Sequence, residues 1–350
     1  MFKIIKILSI NLIFFFFGII ILEIIFGSWL KQSNYSDLLI PKKQINLIDN
    51  FPYEHPGLGI YSRDKNGFRA NKYSLNQINI LVLGGSTTEE REVDDKKIWT
   101  KIFEKNLKKN FKVLNAGIGG QTSLGHKTMF KIWFNKLTNL KPDFIIVYLG
   151  INDALYLVES INNKDLILKG RELNTSNRDN LVNTNRLHRI IQYIKNNSVF
   201  HDLYLIIKGN IITSKYKVSY DSTPKIFKTN ETAIPDNINN LNEKHMYNFE
   251  KYYLNNLFGI LDNSKKYNAK VIFITQKISN QHWLKQYLKK INLITSKFCK
   301  NSNAYCINLD TKELKIENEH FYDGIHTTAD GSRIIGQFIA NEFNKFYINE

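Results

Sequence analysis

Apolar residues along this chain fall into three patterns, and each predicts a different element. Residues 7–30 form an almost unbroken apolar run, interrupted by Ser9, Asn11, Glu23, Ser28 and two glycines. At a rise of about 1.5 Å per residue, a helix over that run spans a hydrocarbon core of about 30 Å. Five short blocks rich in Ile, Val and Phe occur at 78–83, 111–115, 144–149, 270–275 and 305–309. Blocks that are apolar throughout, not only at alternate positions, suit strands buried on both faces. Stretches with helical spacing separate them at 99–109, 122–137, 246–266 and 283–298, and a last one runs from about 329 to 346. This alternation predicts a parallel sheet covered by helices on both faces.

Two segments leave that rhythm. Residues 31–77 are a polar, proline-containing lead that includes Asn66-Gly67-Phe68-Arg69. Residues 154–245 are rich in Asn and Lys, with helix-like patches at 187–194 and 199–207. The second is too long for a simple loop, which predicts a helical cap or excursion over the site. Insertions of this kind carry substrate choice. The expected organisation is an anchor at 7–30, a lead at 31–77 and an α/β domain at 78–350 with a variable insertion at 154–245.

Charge changes the picture less than its size suggests. The 350 residues carry a formal net charge of +16, which raises the question of a nucleic-acid partner. The basic residues are spread along helix-like stretches, Lys far outnumbers Arg, and no basic-aromatic motif accompanies them. That pattern describes a solvated Lys-rich surface, with a polyanion or an anionic membrane as the alternative partner, and gives little support to nucleic-acid binding. Near the N-terminus the charge has a use: Lys3 and Lys6 favour a cytoplasmic N-terminus and place the domain outside the cytoplasm. The apolar run exceeds a signal-peptide core and no small-residue cleavage site follows, so it reads as a retained signal anchor. Glu23 falls toward the outer end, where its carboxylate can reach the interface. The only cysteines, Cys299 and Cys306, could close one short loop in an oxidising compartment or remain free thiols. Two cysteines without suitably spaced partners do not make a zinc site.

Four short stretches hold the candidate chemistry. Gly84-Gly85-Ser86-Thr87-Thr88 follows the first strand block. Its glycines permit a tight strand-to-helix turn that exposes the Ser86 hydroxyl, and a helix N-terminus there favours developing negative charge. The same residues also suit an N-capping serine or a phosphate-cradling loop. Asn115-Ala116-Gly117-Ile118-Gly119-Gly120 follows the second block, where the Gly120 N–H can point into the same mouth. Residues 120–128 come near a phosphate loop, but His126 occupies the place of its lysine. Gly150-Ile151-Asn152-Asp153 puts the Asn152 amide at the mouth of the third strand, where a donor to an oxyanion contributes about 3–4 kcal/mol. Either Asn152 or Asp153 could instead cap the next helix. In Asp323-Gly324-Ile325-His326 a tight turn lets the carboxylate hold one imidazole nitrogen while the other faces Ser86. His320, Asp323 and His326 would alternatively form a metal site, although no further ligand cluster is evident. Gln276, after the fourth block, falls near the mouth and is placed as a substrate contact.

In this order, and after these strands, the stretches resemble the SGNH (GDSL-like) hydrolase family. Gly84-Gly85-Ser86 matches its first block, Gly120 its second, Gly150-Ile151-Asn152-Asp153 its third and Asp323-Gly324-Ile325-His326 its last. The resemblance covers about residues 78–155 and 246–346. It implies a flavodoxin-like three-layer αβα sandwich with five parallel strands and no metal or organic cofactor. Carried over by position, Ser86 is the nucleophile, His326 the base and Asp323 the residue that orients it. The oxyanion hole would be Ser86 N–H, Gly120 N–H and the Asn152 side chain. Gly85 stands where the name-giving motif has Asp; that carboxylate is not a triad member, so its loss does not exclude activity and leaves the substrate open. The expected protein is a single-pass, extracytoplasmic serine ester hydrolase forming an acyl-enzyme, its substrates small acyl (acetyl) esters such as those of surface glycans. An acyltransferase on the same site, or a non-catalytic glycan-binding or assembly protein, would use the same residues.

Overall fold

All five apolar blocks become strands of one parallel sheet in the computed structural model, which describes residues 2–26, 40–41, 43–49, 58–162, 194, 198–200, 203–204, 243–302 and 304–348. Most of the insertion expected at 154–245, with its helix-like patches, therefore lies outside the described residues. The chain divides into two compact units, Met1–Leu38 with Ser176–Asp221 and Leu39–Thr175 with Ser222–Glu350.

The first unit contains helix α1 (Phe2–Phe26). Its span Ile5–Phe26 has a mean hydropathy of 2.5 and none of it is buried, so this helix is long and apolar enough to cross a membrane. Residues 27–30 of the expected anchor lie outside the described residues. Glu23, the carboxylate within the apolar run, accepts hydrogen bonds from Ser198 Oγ at 2.5 Å and Val199 N at 3.1 Å.

The second unit starts with an antiparallel hairpin, β1 (Gln44–Asp49) and β2 (Leu58–Arg63), in which Gln44 faces Arg63. The main sheet follows: β3 (Ile80–Gly84), β4 (Val113–Asn115), β5 (Phe144–Tyr148), β6 (Lys270–Ile274) and β7 (Tyr305–Ile307). Its spatial order is β4-β3-β5-β6-β7 and every pair is parallel. The sheet starts in the middle and winds outward in both directions, the flavodoxin-like order.

The intervening helices are α2 (Ser86–Glu89), α3 (Trp99–Asn106), α4 (Ser123–Ile132), α5 (Ile151–Asn162), α6 (Glu243–Ser264), α7 (Lys285–Ser302) and α8 (Ala329–Ile348). Strand side chains alternate between two cores. Leu81, Leu83, Ile145, Val147, Val271 and Phe273 pack with α4, α5, α6 and α7. Ile80, Val82, Ile146, Tyr148, Ile272 and Ile274 pack with Trp99 and Phe103 of α3 and Ile339 and Phe343 of α8. Both faces are thus covered, which is why the central strands β3 and β5 show no polar alternate position. The helix expected over 122–137 breaks at Trp133, whose ring stacks on Phe68 at 4.6 Å and whose Nε1–H donates to Asn66 O at 2.8 Å. That contact takes the indole out of helical packing and ties the lead segment to the sheet domain.

Candidate active site

Parallel strands end side by side, and the loops leaving β3, β4 and β5 bring the first three motif stretches together. β3 ends at Gly84 and the chain turns through Gly85 into the single turn of α2, with Ser86 as its first residue. Ser86 is only partly exposed. Its Oγ lies 2.7 Å from His326 Nε2. The other imidazole nitrogen, Nδ1, lies 2.5 Å from Asp323 Oδ2. The second oxygen of Asp323 accepts the backbone N–H groups of Ile325 at 2.9 Å and His326 at 2.7 Å. A turn of this tightness needs Gly324 in the left-handed region, at φ +83°.

Burial works against the charge on Asp323, but His326 and the two backbone donors outweigh it and hold the carboxyl below its usual range. The Tyr322 ring stacks on the imidazole at 5.7 Å and limits its rotation. His282 stands beside the same turn: a Cβ on Gly324 would come within 2.8 Å of its Cδ2. Burial lowers the His282 pKa, with Asp323 acting the opposite way.

The remaining expected residues surround Ser86. Asn152 is the second residue of α5, and its Nδ2 donates one hydrogen to Gln121 O at 2.9 Å, leaving the other for a ligand. A Cβ on Gly85 would sit 2.6 Å from that same nitrogen. The absence of a side chain at Gly85 therefore leaves room for the Asn152 amide. Gly120 ends a loop that runs alongside the serine, since a Cβ on the preceding Gly119 would lie 3.9 Å from Ser86 Cβ. Asp153 turns away from the mouth and caps α4, accepting Ser123 Oγ–H at 2.6 Å and Ser123 N–H at 3.0 Å. Burial pushes its carboxyl up to about 7.

Gln276 has a different place from the substrate contact expected of it. It is 2% exposed, with Oε1 accepting Ile151 N–H and Nε2 donating to Thr87 Oγ1 at 2.5 Å. Asn292 clasps its backbone in two hydrogen bonds, at 3.1 and 2.8 Å. The side chain braces the α5 turn that carries Asn152 against the turn that carries Ser86. His320 Nδ1 accepts Glu317 N–H at 3.0 Å. His126, in the lysine place of the near phosphate loop, is buried with its pKa pushed down to about 3 by desolvation.

A layer of buried charge beneath α2 lies outside the four motif stretches. Glu89 accepts Tyr61 OH at 2.7 Å and Gly119 N–H at 2.6 Å, and pairs with Arg63 at 2.9 Å and Arg91 at 3.1 Å. Burial alone would raise its carboxyl; Arg63 and Arg91 reverse that and bring it down to about 2. Arg69, stacked over Tyr61 at 4.2 Å, donates to the carbonyls of Glu89 at 3.0 Å and Val93 at 2.7 Å and pairs with Asp95. The lead segment from residue 58 onward thus supports the floor of the site. Polar residues in a proline-containing stretch carry no periodic signal for such a role.

The cysteines left open by the sequence are joined: Cys299 of α7 and Cys306 of β7 form a disulfide with Cα atoms 5.9 Å apart. Among the described residues, no group of three or more His, Cys, Asp or Glu side chains is arranged to hold a metal ion.

Comparison with known proteins agrees with the motif order. The profile of the GDSL-like lipase/acylhydrolase family matches residues 82–334. Among curated proteins, the uncharacterized lipoprotein YqeF of Bacillus subtilis (strain 168) is 32% identical over 75 residues, which is 21% of this chain and 30% of that protein. The chain thus spans less than a third of the length of that relative. Similar solved structures include a member of the lipolytic protein G-D-S-L family from Veillonella parvula, at 12% identity, covering 77% of this chain and 99% of that one with a TM-score of 0.42. The psychrotrophic esterase EstA from Pseudoalteromonas sp. matches at 14% identity over 78% and 99% of the two chains, with a TM-score of 0.41. A catalytic mutant of Axe2, an acetylxylan esterase from Geobacillus stearothermophilus, matches at 11% identity over 76% and 93%, also with a TM-score of 0.41. At such identities and scores the fold of this chain rests on its own sheet order.

Proposed function

The chain belongs to the GDSL-like lipase/acylhydrolase family, and from that premise we propose that it hydrolyses esters, as a membrane-anchored serine esterase with its catalytic domain outside the cytoplasm. The observation that carries the mechanism is the continuous Ser86–His326–Asp323 relay, with contacts of 2.7 and 2.5 Å. Ser86 Oγ attacks the ester carbonyl carbon while His326 Nε2 takes its proton. Asp323 keeps Nδ1 protonated and stabilises the imidazolium that results. Charge on the tetrahedral oxygen is received by Ser86 N–H, Gly120 N–H and the free Nδ2 hydrogen of Asn152. Collapse expels the alcohol, which takes the proton from His326, and leaves an acyl-enzyme. Water, deprotonated by His326, then attacks the acyl carbon and releases the acid, restoring Ser86.

Three observations support the location. Helix α1 is long enough to cross a membrane, Lys3 and Lys6 precede its apolar run, and the Cys299–Cys306 disulfide suits an oxidising compartment. Residues 7–30 would anchor the chain, and 78–350 would form the catalytic domain with its insertion at 154–245. The partly exposed Ser86 and His326 suit small acyl groups on a bulky alcohol, and acetyl esters of a surface glycan meet that description. The full chain in detergent should release acetate from an acetylated polysaccharide, and Ser86→Ala should abolish it without altering the melting curve. Undiminished release by a folded Ser86→Ala protein would overturn the proposal.

A further inference from the structure

The helix of the nucleophile ends in a residue that the chemical steps do not use. Glu90 closes α2 in the left-handed conformation, at φ 47° and ψ 60°, and is 5% exposed. Its Oε2 accepts Trp99 N–H, at the start of α3, at 2.6 Å. Its Oε1 touches Ser332 Oγ, in the first turn of α8, and lies 3.2 Å from Thr327 Oγ1. Thr327 directly follows His326. One carboxyl group thus joins the far end of the Ser86 turn to the loop that carries the base.

The oxygens around Glu90 Oε1 are one proton short of a closed ring when the carboxyl is ionised. Thr327 Oγ1 and Ser332 Oγ are themselves 2.9 Å apart, so these two oxygens and Glu90 Oε1 form a closed triangle. Two hydroxyls supply two protons for three edges. Both hydroxyls can donate to an ionised Oε1, which leaves the Thr327–Ser332 edge without a proton; a third proton, on Glu90, lets all three edges be filled. Ser332 Oγ also lies 2.9 Å from Thr328 O, which adds another acceptor for the same few protons. Burial works in the same direction, raising the carboxyl to about 8 against its hydroxyl and amide donors and the charge of Arg69. The titratable groups facing Glu90 are that guanidinium, which hydrogen-bonds the Glu90 carbonyl at 3.3 Å, and Tyr148, whose phenol burial and Glu90 both push up.

We propose that Glu90, held as a neutral acid, is a positioning residue that ties the Ser86 turn to the His326 loop and so sets the distance between nucleophile and base. The proposal rests on the Ser86–His326 chemistry described above. Ionisation of Glu90 opens the triangle and loosens residues 326–328, so turnover declines as pH rises through that ionisation. Gln at this position reproduces the neutral form: its Nε2 donates to Ser332 and Thr327 while its Oε1 accepts Trp99 N–H.

The test compares Glu90→Gln and Glu90→Ala with the wild type in the full chain. Wild-type kcat should fall several-fold across about pH 8 at constant KM, whereas Glu90→Gln should hold its kcat to about pH 9. Glu90→Ala should lose kcat by about tenfold with little change in KM and shift the His326 Nδ1–H proton resonance. Superimposable pH profiles for wild type and Glu90→Gln would overturn the proposal, even if Glu90→Ala fails to fold. So would an unmoved His326 resonance in a folded Glu90→Ala protein. Failure of the triad chemistry reads differently: ester turnover would survive Ser86→Ala, while the His326 resonance in both Glu90 variants would still report whether Glu90 holds the loop.

Discussion

Restoring a side chain at Gly85, the position where the family motif carries Asp, should damage this enzyme. Gly85 has φ −83° and ψ −150°, at the margin of the extended region and without the positive φ that would itself call for glycine. The main effect of Gly85→Ala comes from its methyl group, which would sit 2.6 Å from Asn152 Nδ2. That separation is inside van der Waals contact, so the amide has to move, and moving it breaks the 2.9 Å bond to Gln121 O. The stability cost is one hydrogen bond, about 1 kcal/mol, offset in part by the roughly 0.5 kcal/mol that replacing a glycine gives through the unfolded chain. The cost in rate is larger, because a displaced oxyanion donor or a reacting geometry off by about 1 Å lowers turnover by about a hundredfold. The assay is kcat/KM on p-nitrophenyl acetate beside a thermal melt, with Asn152→Ala and the double variant completing a cycle. If the methyl acts through Asn152, the double variant should be no worse than Asn152→Ala alone. Wild-type turnover in Gly85→Ala, or full additivity with Asn152→Ala, would refute the reasoning.

Other expectations follow from the buried charges and the cross-link. Glu89→Gln removes a 3% exposed carboxylate from two arginines and should lower stability by about 3 kcal/mol, read by chemical denaturation. Because the folded carboxyl is depressed from 4.5 to about 2, its contribution is present above pH 4.5 and lost as pH falls toward 2, and the variant should lack that acid limb. Asp153 runs the other way: raised from 3.8 to about 7, its protonated form contributes fully below pH 3.8 and is lost as pH rises through 7. Asp153→Asn should therefore raise the melting temperature at about pH 8 and leave it nearly unchanged at about pH 4. Reducing Cys299–Cys306, with a sequence separation of 7, should lower stability by about 2 kcal/mol in a melt run with and without reductant.

Much of the fold was legible because strands buried on both faces appear as solid apolar blocks, and each expected block overlaps an observed strand. Their ends shifted: 78–83 became Ile80–Gly84 and 305–309 became Tyr305–Ile307, since the sheet pairs only part of each apolar run. The hairpin β1–β2 went unseen. Its strand Leu58–Arg63 mixes apolar, small and charged residues, and Ile60 is exposed while Arg63 is buried. Motif order brought Ser86, Asn152, Asp323 and His326 to one mouth because strand ends fix where their loops lie. Gln276 shows the limit of that inference: the right end of the right strand still leaves a side chain free to turn inward. The Glu89–Arg63–Arg69 layer joins residues far apart in sequence, and nothing local separates a buried arginine from a solvated one.

The central claim is that Ser86 is activated by His326, and the most direct test is covalent. The full chain, solubilised in detergent, is reacted with a fluorophosphonate probe beside Ser86→Ala and His326→Ala. The 2.7 Å contact between Ser86 Oγ and His326 Nε2 predicts stoichiometric labelling of wild type, none of Ser86→Ala and labelling of His326→Ala slowed by orders of magnitude. Equal labelling of all three, or none of a folded wild-type protein, would contradict it.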